Sequence, residues 1–246
     1  MGTVIVITSG KGGTGKTAFT GGVAASLAQR GHKVLCIDAD IGLRNLDISL
    51  GMTDAVLMDF TDVMDGRCAL LPAAALHPSI SRLFLLTAPI SLPSEPLAQE
   101  GFRALLKEAR AHFDYILIDC PAGLGPGFHL ATCDADQAVI VSTSDTSALR
   151  DAQRVVAQIG TKVSLIRLVV NRVQPKLLKR LSSTIDDMMD FVGLPLLGLV
   201  PEDAQVMLAA NEGRALLQGG YGEAANAYRN IATRITGERM PLSKIR

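Results

Sequence analysis

The chain has no tryptophan and few other aromatic residues, with three tyrosines and seven phenylalanines among 246 residues. Its 48% hydrophobic content still suffices for a substantial core, which must be mainly aliphatic. Neither charge is in excess, since 24 Lys and Arg stand against 24 Asp and Glu. That balance argues against global electrostatic attraction to nucleic acid, though not against a local patch. No apolar run is long enough for a membrane-spanning helix. The start Met1-Gly-Thr-Val-Ile-Val6 reaches Lys11 too early for a secretory signal, and Val6 stands where N-myristoylation wants Ser or Thr. Cys36, Cys68, Cys120 and Cys133 are widely spaced and form no C-x-x-C pair. They read as free or buried thiols of a reducing cytoplasm. His32, His77, His112 and His129 show no metal-ligand spacing and read as ordinary surface or core residues. No low-complexity linker or repeat divides the chain. A single domain over residues 1–238 and a short basic tail over 239–246 are expected.

What the chain does have begins at Gly10. Gly10-Lys-Gly-Gly-Thr-Gly-Lys-Thr17 contains the phosphate-binding pattern G-x4-G-K-T. Its context is strand, glycine loop, helix. Thr3–Thr8 is a β-branched apolar run, and Phe19, Val23 and Leu27 recur at helical spacing. Glycines let backbone N–H groups close around phosphate oxygens, and the helix start adds partial positive charge. The motif implies ATP or ADP with Mg²⁺. The cradle is Gly10, Lys11, Gly12, Gly13, Thr14, Gly15, Lys16, Thr17 and Ala18. Lys16 would reach the β- and γ-phosphates and Thr17 would ligate magnesium. Phosphate binding within one subunit does not require Lys11.

Further apolar runs at 34–37, 83–86, 115–118, 138–141, 165–170 and 196–200 alternate with helical stretches. Helices are expected over 94–113 (with Ser94 as a candidate cap), 146–160, 182–192 and 220–236. Near-continuous apolar strands suit a sheet buried on both faces. The fold class expected is α/β, a doubly wound, mostly parallel sheet flanked by helices, with the ligand outside the carboxyl ends of the strands. Acidic residues fall there. Asp38 and Asp40 close the second run, and Ile116-Leu-Ile-Asp119 has the form of a strand ending in a magnesium-side acid. Asp40 is a candidate for orienting the attacking water. Strand-end acids also serve as turn or cap residues.

Together these motifs resemble the MinD/ParA family of deviant Walker A P-loop ATPases, a SIMIBI-type fold. Lys11–Thr17 looks like the family's phosphate loop, whose early lysine is the signature residue. Asp38–Asp47 resembles its switch I, with Gly42-Leu-Arg-Asn-Leu-Asp47 closest to the division-site branch, and Asp119–Leu124 resembles switch II. Gly198–Asp203 and Ala210–Gly213 resemble the segment near the adenine base. The similarity runs from Gly2 to about Glu238. It implies an ATP-hydrolysing switch that forms an ATP-dependent homodimer and helps place the bacterial division septum. Lys11, Lys16 and Asp40 would be catalytic, with Lys11 reaching the other subunit's nucleotide. Thr17, Asp38 and Asp119 would stand on the metal side. Asn171, Pro201, Glu202 and Asp203 would lie near adenine. MinC- and MinE-like regulators are the implied partners.

Two departures from the family pattern carry expectations. Only eight residues, Arg239–Arg246, follow the recognisable body, at most about 12 Å of helix. Met240, Leu242 and Ile245 offer little apolar area, so membrane binding through this tail is expected to be weak or absent, and the protein cytoplasmic or peripheral at the inner face of the cell membrane. In 145–154, the region resembling the partner-binding helix, Ala152 and Gln153 stand where more polar or acidic character is expected.

Alternatives from the same superfamily are a flagellar-number regulator and a DNA-partitioning ATPase. Arg172, Lys176, Lys179 and Arg180 form a small basic cluster, but a solvated helix face explains it and nucleic-acid binding is not expected. A redox ATPase with a bridging metal cluster lacks the required paired cysteines.

Overall fold

The β-branched and aliphatic runs form strands because both their faces are covered by helices. The computed structural model describes residues 1–55, 58–91, 97–181, 183–219 and 222–242. The first half comprises β1 (Thr3–Thr8), α1 (Lys16–Gln29), β2 (Val34–Asp38), α2 (Leu46–Leu50), α3 (Phe60–Met64), α4 (Leu70–Ala73), β3 (Ala75–Leu76), β4 (Leu83–Leu86), α5 (Gln99–His112) and β5 (Tyr115–Asp119). The second comprises α6 (Pro126–Ala131), β6 (Gln137–Ser142), α7 (Thr146–Ile159), β7 (Leu165–Val173), α8 (Pro175–Leu181), α9 (Ile185–Val192), β8 (Leu196–Pro201), α10 (Ala204–Asn211) and α11 (Glu223–Ile235).

The strands make one sheet in the order β3-β4-β2-β5-β1-β6-β7-β8. All pairings are parallel except β3 with β4. The doubly wound expectation holds. β3 went unseen in the sequence because two residues carry no period. Alternation along β1 sends Val4 and Val6 to one layer, with Phe102, Leu106 and Val155 of α5 and α7. Ile5 and Ile7 face the other layer, with Phe19 and Val23 of α1 and Tyr228 and Ile231 of α11.

Helix boundaries moved. The expected 94–113 helix starts at Gln99, and Ser94 lies outside the described residues. The expected 182–192 helix starts at Ile185, where Thr184 and Asp187 form a capping box. Of the expected 220–236 helix, Glu223–Ile235 is helical, and 220–221 lie outside the described residues. α1 is buried nearly all round, and its small residues allow this. A Cβ at Gly22 would stand 2.2 Å from the Tyr228 ring, so glycine sets how closely α1 and α11 cross.

Candidate nucleotide-binding site

Strand register brings the expected site residues to one end of the sheet. Ile7 of β1 and Asp38 of β2 both pair with Asp119 of β5. The glycine loop therefore leaves β1 at the level where β2 and β5 each end in a carboxylate.

Gly13 and Gly15 adopt φ of 78° and 85°, the left-handed region that a Cβ disfavours. Gly15 has a second constraint, because a Cβ there would lie 2.5 Å from Asn171 Nδ2. It precedes α1 without any side-chain cap, leaving first-turn N–H donors for an anion. The Thr14 hydroxyl is buried without a partner among the described residues. An uncapped helix start and an orphaned hydroxyl both fit phosphate oxygens. Lys16, 8% exposed, donates from Nζ to Ser9 Oγ at 3.0 Å.

Lys11 points elsewhere. It is exposed, and its Nζ donates to Ser147 Oγ at 2.8 Å and Asp145 Oδ1 at 3.3 Å. Asp145 is the N-cap of α7, accepting from the Ala148 N–H at 3.0 Å. Hydroxyl donation from Ser147 and Thr143 holds its carboxyl well below the usual range.

The acids divide their tasks. Asp119 is 2% exposed and accepts from Thr20 Oγ1 at 3.1 Å. Burial, then the charge of Asp38, raises its pKa to about 7, while the Thr17 hydroxyl and Lys16 act the other way. Asp38 is fully buried. Its Oδ1 accepts from the Asp40 N–H at 2.9 Å, and its Oδ2 from Asn45 and Leu46 at 3.1 and 3.0 Å. It caps α2 from across the loop, since Asn45 supplies no side-chain cap. Its described contacts are thus with backbone of the 40–46 segment. Asp40, half-buried, has its pKa raised by burial and opposed by Lys16. Among the described residues no group of three or more His, Cys, Asp or Glu could hold a metal alone. That suits Mg²⁺, which is usually held by one or two carboxylates with substrate phosphates, and Thr17 and Asp119 fit such a partial shell. Burial pushes the Cys120 thiol up to about 12, so it is not an ionised ligand or nucleophile at neutral pH.

A cavity of about 590 Å³ runs from Gly15, Thr17 and Ala18 past Asn171 to Pro201, Glu202 and Asp203. The expected base-side residues therefore share one pocket with the loop. Asn171 donates from Nδ2 to the Thr14 carbonyl at 2.7 Å. Asp203 caps α10 through the Gln205 N–H at 2.9 Å and accepts from the Ala224 N–H at 3.1 Å. Sequence reading missed Ser49, Met207 and Tyr228 in this lining. It read Arg172 as a surface cation, and Arg172 is exposed, but its partners were not foreseen. Arg172 forks onto Glu202, with Nε to Oε2 at 2.8 Å and Nη2 to Oε1 at 3.3 Å, and donates from Nη1 to the Gly13 carbonyl at 3.3 Å. The basic cluster thereby loses a member. A second cavity of about 310 Å³ lies beside the loop, touching Lys11, Asp145, Arg172 and Leu177.

Residues 5–217 match the model of the CobQ/CobB/MinD/ParA nucleotide binding domain. The septum site-determining protein MinD of Bacillus subtilis (strain 168) is 39% identical over 246 residues, covering 98% of this chain and 92% of that protein. The MinC:MinD cell division protein complex of Aquifex aeolicus superposes with a TM-score of 0.91 at 35% identity, covering 98% of both chains. MinD from Pyrococcus horikoshii complexed with Mg-ADP does so with a TM-score of 0.83 at 27% identity, covering 96% of both. With a family match over most of its length and relatives across nearly all of it, the chain belongs to the CobQ/CobB/MinD/ParA nucleotide-binding family, where it stands with the septum site-determining MinD ATPases.

Proposed function

We propose that this ATPase acts as a switch in septum placement, dimeric with ATP and monomeric with ADP, with two nucleotides held between two subunits. The observation that carries the proposal is the divergence of the two loop lysines. Lys16 lies along its own loop, whereas Lys11 turns outward to Asp145 and Ser147 at the rim of a different cavity. A cation aimed away from its own phosphate pocket is placed to serve another subunit's. In trans it would meet charge developing on the transferred phosphoryl group.

In this reading Gly10–Ala18 cradle the phosphates and Lys16 binds the β- and γ-phosphates. Thr17 and Asp119 hold Mg²⁺, which neutralises phosphate charge. Asp38 sets the 40–46 segment from the metal side, and Asp40 on that segment orients water. Asn171 and Pro201–Asp203 wall the base. Dimerisation then depends on the γ-phosphate, and hydrolysis releases the dimer.

A MinC-like partner is supported by the Aquifex MinC:MinD complex, and a MinE-like regulator is the companion proposal. On α7, Gln153 is exposed whereas Ala152 is 1% exposed. Ala152 is therefore a core residue, and its apolar character says nothing against a partner face. Among the described residues no helix is long and apolar enough to cross a membrane. We propose that the protein is cytoplasmic or peripheral at the inner face of the cell membrane; residues 243–246 lie outside the described residues.

Gel filtration of Asp40→Ala tests the switch. It should elute as a dimer with ATP and a monomer with ADP, and adding Lys11→Ala should abolish the difference. A monomer with either nucleotide in the Asp40→Ala protein would defeat the shared-site model.

A further inference from the structure

Arg172 is one of three non-glycine residues with positive φ among the described residues, at 55°. Such conformations cost energy and collect at functional sites. It sits where β7 breaks register with β8, between Val170 and Val173, in the manner of a β-bulge that re-aims side chains. In a regular strand Asn171 and Arg172 would face opposite sides. Here they donate to consecutive carbonyls of the phosphate loop, Asn171 to Thr14 at 2.7 Å and Arg172 to Gly13 at 3.3 Å.

The planar trans peptide gives that pairing a consequence. A carbonyl and the N–H of the next residue point in opposite directions. Holding the Gly13 and Thr14 carbonyls toward β7 turns the N–H groups of Thr14 and Gly15 to the opposite side of the loop. Successive N–H groups presented this way make an anion nest. Glu202 fixes the guanidinium through its two-bond fork, and its own N–H is tied to the Val173 carbonyl at 3.0 Å. The tie therefore runs from the β7–β8 frame, through Glu202 and Arg172, to the loop. Arg172 also touches both cavities, so it forms part of the wall between them.

We propose that Arg172 is a positioning residue for nucleotide, oriented by Glu202, that pre-aims the phosphate-loop N–H groups and slows nucleotide release. This rests on the nucleotide reading of the site. Pre-organisation of this kind acts mainly on dissociation rates.

Stopped-flow chase of a fluorescent ADP analogue from the full chain, with Mg²⁺, tests it on Arg172→Ala, Glu202→Gln and the double variant. Arg172→Ala should release the analogue about fivefold faster, the scale of a partly exposed ion pair. Its association rate and nucleotide-free melting temperature should stay near the parent's. Glu202→Gln should approach the same release rate, and the double variant should be no faster than Arg172→Ala alone. An unchanged release rate in Arg172→Ala, or effects of the two substitutions that simply multiply, overturns the inference while leaving the nucleotide reading intact. Failure of the parent chain to bind the analogue overturns both.

Discussion

Asp38 and Asp119 occupy paired positions on adjacent parallel strands, both buried, yet their oxygens meet different partners. Three backbone N–H groups converge on Asp38, which compensates its charge and shapes the segment bearing Asp40. Asp119 accepts chiefly from hydroxyls, so it keeps capacity for a cation and bears the larger cost of burial.

Asp119→Asn should therefore stabilise the metal-free protein while weakening Mg²⁺-nucleotide binding. The pKa of Asp119 rises from 3.8 to about 7 on folding. Its contribution to stability is full below pH 3.8 and is lost as pH rises through 7. At pH 8 without Mg²⁺, urea denaturation should show the Asn variant more stable by about 1–2 kcal/mol. Titration with ATP and Mg²⁺ should show at least about tenfold weaker binding, since a magnesium-side carboxylate is gone. A variant less stable than its parent at pH 8 would show that Asp119 is not a strained charge.

Ser147→Ala should ease ATP-dependent dimerisation. It removes the 2.8 Å acceptor of Lys11 while leaving Asp145 to cap α7. An exposed bond of this kind contributes about 0.5–1 kcal/mol, and both subunits must release a lysine. Sedimentation velocity with ATP should place the monomer–dimer midpoint at roughly fivefold to thirtyfold lower protein concentration, the factor that about 1–2 kcal/mol over two subunits gives. A midpoint that stays put would mean that Ser147 does not hold Lys11 back, Asp145 being left in place.

Gly22→Ala sets two effects of opposite sign against each other. Alanine is the better helix former by about 1 kcal/mol. Its Cβ, however, would meet the fully buried Tyr228 ring at 2.2 Å, and overpacking of a fixed core costs about 1–3 kcal/mol. The clash should win, lowering the melting temperature by several degrees, and the smaller Tyr228→Leu should recover part of the loss. A raised melting temperature would show that α1 and α11 separate without strain.

The phosphate loop was legible because its constraints are local: two positive-φ glycines, a strand before it and a helix after it. Asp38, Asp40 and Asp119 were legible as strand-end acids, since apolar runs mark where strands stop. Which acid does what was not legible. Asp38 is distinguished from Asp119 by backbone N–H groups of Asp40, Asn45 and Leu46, which only the folded loop brings together. Arg172 is exposed, as a solvated cation should be, but its pairing was hidden for a similar reason. Its neighbours Lys176, Lys179 and Arg180 suggested a solvated basic face, while the bulge that turns it toward Gly13 leaves no trace in residue type. The short helices α2, α3 and α4 lack the length over which a 3.6-residue period can be read.

His77 looked ordinary in the sequence, yet it is 3% exposed and joins the end of α2 to the turn after β3. Its Nε2 lies 2.9 Å from the Leu50 carbonyl, and its Nδ1 accepts from the Ser79 and Ile80 N–H groups at 3.0 and 3.1 Å. A carbonyl only accepts, so the hydrogen sits on Nε2 and Nδ1 is bare. A second proton would stand against two N–H donors. Burial lowers the pKa of His77 below 6.5, with the Leu50 bond acting the other way. Its contribution to stability is therefore present above pH 6.5 and lost as pH falls below it. Urea denaturation between pH 7.5 and 5.5 should show the parent losing stability more steeply than His77→Gln. At pH 7.5 the Gln variant should be weaker by about 1–2 kcal/mol, from N–H groups left without an acceptor. Parallel pH curves for the two proteins would show that His77 keeps its neutral form at no cost. Because α2 begins on the Asp38 carboxylate and ends on His77, the same acid loss should appear as weaker nucleotide binding, and more so in the parent than in the Gln variant.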